Sequence, residues 1–181
     1  MKKLAILLTA LLLAVPVFAQ QEDSEKSGVL IRPQIEINVG YGTNGSGTMV
    51  GYGFSADTYY QRVFWEIIPS VRITPYAAIG FGLGVQHAWD VDAMMMPVFG
   101  ELKGCCPIGK AVPYMVVDLG YGAGLDQFEG GFYGSFGAGV NCGYLNVSLG
   151  YQMQYLFESI SDSMKLGVRV GSFYVKVGVT F

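Results

Sequence analysis

His87 is the single histidine of the chain, and Asp90 and Asp92 follow closely. A histidine set against a serine and an acid is the machinery of ester hydrolysis. No serine stands two residues from His87, and Ala88-Trp89-Asp90 around it has the character of an edge, so it reads as a plain rim residue. Two carboxylates on one loop hold a divalent cation weakly and are ordinarily solvated. Cys105, Cys106 and Cys142 are an odd set, with no fourth ligand nearby to make a metal site. The runs Gly80-Phe81-Gly82-Leu83-Gly84 and Gly134 to Gly139 do not open a helix after a strand, so they lack the geometry that cradles phosphate. Neither a metal nor a cofactor is expected, and no catalytic residue is assigned.

What positions these groups is a period of two. In Tyr144 to Phe157, Leu145, Val147, Leu149, Tyr151, Met153, Tyr155 and Phe157 alternate with Asn146, Ser148, Gly150, Gln152 and Gln154, giving one oily and one wet face. The same alternation marks Val29 to Tyr41, Tyr59 to Ile73, Tyr76 to Val85, Met94 to Lys103, Val112 to Gly122, Phe132 to Cys142 and a last segment ending at Phe181. Each of these eight is long enough for a tilted membrane strand, which needs about 9–11 residues. Thr48 to Ala56 also alternates. It reads as a hairpin or strand extension in the first outer loop, with Tyr52 and Phe54 exposed there; ten strands are the alternative count.

The wet faces carry Arg32, Glu36, Arg62, Glu66, Arg72, Glu101, Lys103, Asp118 and Lys176. In an eight-stranded barrel side chains just fill the interior, so these nearly balanced charges are expected to pair and hold the lumen shut; a gated ion path is the sharper alternative. The oily faces carry Tyr41, Tyr59, Tyr121, Phe157 and Phe173 at one end, and Tyr144 and Phe181 at the other, like two interfacial girdles. A soluble barrel would turn its oily face inward; this pattern fits the reverse. Arg169 falls on the lipid-facing parity, and is accommodated either beyond the apolar band or by a bulge at Gly171-Ser172.

Composition agrees. The chain is 51% hydrophobic with 26 glycines, 12 tyrosines and 11 phenylalanines, a vocabulary of strands and turns. The long apolar run from Leu4 to Phe18 is too short for a membrane helix, and with Lys2, Lys3 and the Val17-Phe18-Ala19 site it reads as a signal peptide cleaved after Ala19. Residues 20–27 (QQEDSEKS) form a polar lead-in and 28–181 the barrel. Cleavage leaves nine basic against fourteen acidic residues, a net charge of −5 that argues against a nucleic-acid partner.

Tight links at Thr74-Pro75 and Gly143, against longer ones at Gly42 to Thr58 and Phe157 to Met164, suit turns on the periplasmic side and loops outside. The Gly104 to Ala111 link is the long exception. Cys105 and Cys106 lie in it, and Cys142 ends the neighbouring strand at the same rim, so a disulfide from Cys142 to Cys105 or Cys106 is expected, leaving one thiol free.

The Gly-aromatic strands (Gly40-Tyr41-Gly42, Gly120-Tyr121-Gly122), the run Ile73-Thr74-Pro75-Tyr76 before Gly80 to Gly84, and the terminal Val179-Thr180-Phe181 resemble small OmpA/OmpX-like outer-membrane β-barrel proteins, especially those of Bacteroidetes. The resemblance implies an all-β, eight-stranded, antiparallel, up-and-down transmembrane barrel in the outer membrane of a Gram-negative bacterium. It further implies that Val179 and Phe181 belong to a terminal signal read by the barrel-insertion machinery. Expected partners are outer-membrane lipids, that machinery and an extracellular partner at the outer loops. A structural or surface-interaction role is expected; a lipid-modifying enzyme using His87 and a narrow pore are the alternatives.

Overall fold

A computed structural model describes residues 31–50, 61–89, 93–108, 110–125, 129–161 and 164–181, with side chains at all of these but 44–50, 93, 156–168 and 170. It contains eight strands: β1 Arg32–Val50, β2 Arg62–Thr74, β3 Ala77–Ala88, β4 Ala93–Cys105, β5 Ala111–Gly124, β6 Gly131–Cys142, β7 Leu145–Ser161 and β8 Met164–Thr180. Each pairs antiparallel with its neighbours in sequence, and β1 pairs with β8 to close the barrel. The seam ends on a reciprocal pair, Ile35 N to Phe181 O at 3.0 Å and Phe181 N to Ile35 O at 2.9 Å. Closure satisfies the backbone without an exposed sheet edge, a condition for crossing lipid.

The faces are inverted relative to a soluble barrel. Glu36, Asn38, Arg62, Glu66, Gln86, Asp118, Gln152 and Lys176 are buried inside, whereas Leu149 is 66% and Met115 73% exposed on the outside, in a belt with Ile37, Phe81, Leu102 and Val175. No soluble fold leaves so large an apolar surface bare.

Inward-facing glycines make room for the barrel's contents. Gly40 is paired across the ladder with Phe64, and Gly82 with Phe99. A Cβ on either glycine would overlap the aromatic ring opposite. Gly120 pairs with both Phe99 and Tyr133, and Gly150 with Tyr174. At Gly40 and Gly82 the ring lies over glycine backbone, the arrangement by which an aromatic residue offsets a glycine on the neighbouring strand. Ile68, Phe99 and Tyr133 join in one cluster, with Phe99 and Tyr133 ring centroids 5.2 Å apart.

Turn chemistry sets the end that carries both termini. Pro75-Tyr76 closes β2 to β3, with Tyr76 N donating to Thr74 Oγ1 at 3.1 Å. Gly143, at φ 63°, closes β6 to β7 in a conformation that glycine tolerates best. The long Gly104 to Ala111 link is a continuing hairpin: Cys106 N donates to Pro113 O, and Ile108 and Ala111 exchange backbone bonds of 2.8 and 3.1 Å.

At the other end the strands are unequal. Thr48 to Val50 continues β1 as a strand extension paired with β8, while residues 51–60, including Tyr52, Phe54 and Tyr59, lie outside the described residues. The segment expected as a long loop from Phe157 to Met164 is instead ladder, since β7 and β8 remain paired up to Ser161 and Met164. A register shift does occur near Arg169, but in β1 between Thr43 and Ser46 and not at Gly171-Ser172. Arg169 therefore stays on the outer face, exposed, with its guanidinium 5.8 Å from the Tyr155 ring.

Replacing Gly82 with valine is expected to displace the Phe99 ring and destabilise the barrel by about 1–3 kcal/mol. Denaturant unfolding in detergent, followed by the mobility shift between boiled and unboiled samples, measures this; an unchanged midpoint would contradict the packing described.

Candidate functional site

Seven of the nine charged positions singled out in the sequence are buried in the lumen, and they form three clusters. Nearest the termini, Lys103 bonds Glu36, lies 3.4 Å from Glu101 Oε1 and sits over the Tyr114 ring at 4.6 Å. Asn146 Nδ2 donates there to Asn38 Oδ1 at 2.9 Å. At mid-barrel, Lys176 Nζ lies 3.1 Å from Glu66 Oε2 and 3.9 Å from Asp118 Oδ2, and Ser135 donates to Asp118 Oδ2 at 2.5 Å. Toward the loop end, Arg62 donates to Gln86 Oε1 at 3.1 Å and to Ser172. With its amide turned so that oxygen faces the guanidinium, Gln152 accepts from Arg62 Nε at 2.6 Å.

This arrangement follows from the register. Lys176 on β8 reaches Glu66 on β2 and Asp118 on β5, groups 110 and 58 positions away in sequence, because all three point into one narrow lumen. Burying an ion costs several kcal/mol unless a counter-charge and hydrogen bonds replace its water. Two carboxylates around one ammonium, with a serine hydroxyl on the second, supply that replacement.

The remaining two charges do not join the clusters. Arg32 is exposed and Arg72 half-buried. They occupy the outermost inward positions at the end that carries the termini, so parity placed them correctly while depth did not. Arg72 Nη2 reaches the Cys105 thiol at 4.0 Å.

The three cysteines are free thiols. The expected bridge is not formed, and the geometry explains why. Cys105 is buried on the lumen side, whereas Cys142 is exposed on the outer face. Cys106 adjoins Pro113, which pairs with Val140. Two inter-strand spacings of about 4.8 Å therefore already separate Cys106 from the Cys142 strand, beyond the reach of a disulfide, whose Cα atoms stand within about 7 Å.

His87 lies on the outer parity opposite Val63 and Met94. Its ring meets Trp89 edge-on at 6.1 Å, and its Nδ1 has no hydrogen-bond partner among the described residues. No serine or carboxylate among the described residues contacts it, and Asp90 and Asp92 lie outside those residues. Val179 pairs with Ile37 and Leu145 on the outer face of the seam, and the Phe181 ring stands 6.2 Å from that of Tyr144.

The charged residues alone understate the site. Gln86, Gln152, Asn146, Ser135 and Ser172 supply the neutral partners, and Phe64, Phe99, Tyr133 and Tyr174 fill the space between clusters. The signal for the aromatics was their place on the polar parity, directly across from a glycine.

No family model matches the chain, and no curated protein does. Solved structures that it resembles include two small barrels. Neisserial surface protein A, NspA, superposes with a TM-score of 0.55 at 11% identity, over 82% of this chain and 97% of that one. Ail, the attachment invasion locus protein of Yersinia pestis, solved in complex with the heparin analogue sucrose octasulfate, superposes with a TM-score of 0.44 at 12% identity, over 82% and 99%. The first likeness, with the inverted faces, establishes the fold of small outer-membrane β-barrels.

Substituting Lys176 with methionine leaves Glu66 and Asp118 without their shared cation. The expected loss of stability is about 3–5 kcal/mol, read as a lower denaturation midpoint of the detergent-folded protein. A lysine that contributed nothing would leave the midpoint where it was.

Proposed function

We propose that the chain is exported behind residues 1–19 and inserted into the outer membrane of a Gram-negative bacterium. Its lumen is closed by the charged network, and it acts at the cell surface through an extracellular partner. The observation that carries this reading is the unequal length of the strands. Among the described residues β6 pairs with β7 no further than Gln154, and β2 with β1 no further than Gly42, yet β1, β8 and β7 stay paired beyond those points. A three-stranded sheet thus rises past the barrel rim. Along β7 it extends seven residues beyond Gln154, roughly 20 Å. Its two outer strands present backbone donors and acceptors that no neighbouring strand takes up among the described residues, and such edges accept extended partner segments.

The filled lumen supports a closed barrel over a pore, since Lys103, Lys176 and Arg62 with their partners occupy successive levels. Val179 and Phe181, at the closing seam, are the residues we assign to recognition by the insertion machinery. The exposed belt is the surface for outer-membrane lipid, and the acidity of the exported chain disfavours nucleic acid.

The test uses outer-membrane vesicles carrying the full chain or a chain whose hairpin is cut back to Gln154 and Gly171. Retention on surfaces coated with extracellular-matrix proteins is compared. Loss of retention on trimming is expected; equal retention would sink the surface role, and stepwise conductance of the full chain in planar bilayers would sink the closed lumen.

A His87→Ala substitution separates this reading from a lipid-modifying enzyme. The lipid A mass spectrum of expressing cells is expected to be identical with either chain, and a product present only with His87 would overturn the proposal.

A further inference from the structure

Arg32 and Arg72 stand directly opposite each other across β1 and β2, where side chains leave the ladder about 5 Å apart and like charges repel. Both lie on the lumen parity at the mouth that carries the termini. Among the described residues no carboxylate, the chain terminus included, comes within ion-pair distance of either. The carboxylates deeper in the lumen are held by other cations, Glu36 and Glu101 by Lys103 and Glu66 and Asp118 by Lys176. Two donors beside the arginine pair also lack acceptors. The Nε of Arg72 is buried with no partner, while its Nη2 meets the Cys105 thiol at 4.0 Å. Ser70, the next inward residue on β2, is 5% exposed, and its hydroxyl has no hydrogen-bond partner among the described residues. Gly80 faces Ser70 across the ladder, and a Cβ there would come within 3.0 Å of the serine Cβ, so β3 puts no side chain beside the hydroxyl.

A carboxylate satisfies one guanidinium fork with its two oxygens. Two forks and a hydroxyl call for more acceptors, set in three dimensions, and a phosphate group offers three oxygens and a charge of about −2. We propose that Arg32, Arg72 and Ser70 form a phosphate-binding site at this mouth of the lumen, in which one phosphate group bridges the two guanidiniums and accepts from the Ser70 hydroxyl. The anion relieves the repulsion within the arginine pair and supplies acceptors to the buried donors that the protein leaves open. Inorganic phosphate and the phosphate of a lipid headgroup at the rim share this chemistry. The inference goes beyond the surface role proposed above, and it depends neither on the orientation of the barrel nor on an extracellular partner.

The experiment is calorimetric titration of inorganic phosphate into the chain folded in a phosphate-free non-ionic detergent, with chloride at matched ionic strength as the reference. Each variant is first shown to be folded by the mobility shift between unboiled and boiled samples. Saturable binding of phosphate that chloride does not reproduce is expected. R72Q is expected to weaken it at least about tenfold and S70A about two- to tenfold, and R32Q/R72Q to abolish it. R32K/R72K, which keeps both charges but neither fork, is expected to weaken it as well. In a second arm the chain sits in nanodiscs containing phosphatidylglycerol, and phosphorus NMR reads headgroups immobilised by the unaltered chain but not by R32Q/R72Q. Immobilised headgroups without binding of inorganic phosphate assign the site to lipid, and the reverse assigns it to the free ion. Equal heats for phosphate and chloride with no immobilised headgroups would overturn the proposal, as would signals in either arm that R32Q/R72Q leaves unchanged.

Discussion

Closure of the sheet is the constraint from which the rest follows. Once β1 meets β8, every strand has two neighbours and every inward side chain faces every other across a lumen about one side chain wide. No inward charge can turn to bulk solvent in mid-barrel, so it is stable there only beside partners that reach it across the lumen. The clusters around Lys103, Lys176 and Arg62 are the result. Their partners are remote in sequence because the shortest path between them crosses the lumen.

Space is rationed by the same closure. Large rings enter the lumen where the neighbouring strand carries glycine: Phe64 beside Gly40, Phe99 beside Gly82 and Gly120, Tyr174 beside Gly150. The glycines that look like flexibility in the sequence are thus steric counterparts of specific rings. Rings and charges are neighbours along the same inward faces, Phe64 between Arg62 and Glu66 and Tyr174 beside Lys176, and both are buried. That burial strengthens the ion pairs and makes their loss costly.

The strand count, the orientation of the faces and the membership of most of the lumen were legible because a two-residue period is a strong signal wherever one face meets lipid. Where that contrast fades, the reading fades with it. Above the membrane a strand has no lipid face, so Glu158 to Ser161 lost its alternation and resembled a loop while its backbone ladder continued. Parity assigns a face but not a depth, which is why Arg32 and Arg72 were grouped with charges that lie deeper. For the cysteines height along the barrel is legible and the face decides: Cys105 shares the inward parity of Lys103, and Cys142 the outward parity of Phe136.

A barrel filled in this way has a constrained middle and freer ends. A packed lumen tolerates few rearrangements, because moving Lys176 leaves two buried carboxylates without their shared cation at once. The rims are under no such restriction. At one of them the extra length of β1, β7 and β8 is not needed to span lipid or to close the sheet, since closure is already complete at Gly42, Gln154 and Tyr174. There the ladder of β1, β8 and β7 continues past the point that closure requires. The opposite rim is held to that constraint less strictly: Arg32 is exposed and Arg72 half-buried, where water can share the cost that a mid-barrel charge must meet with a partner.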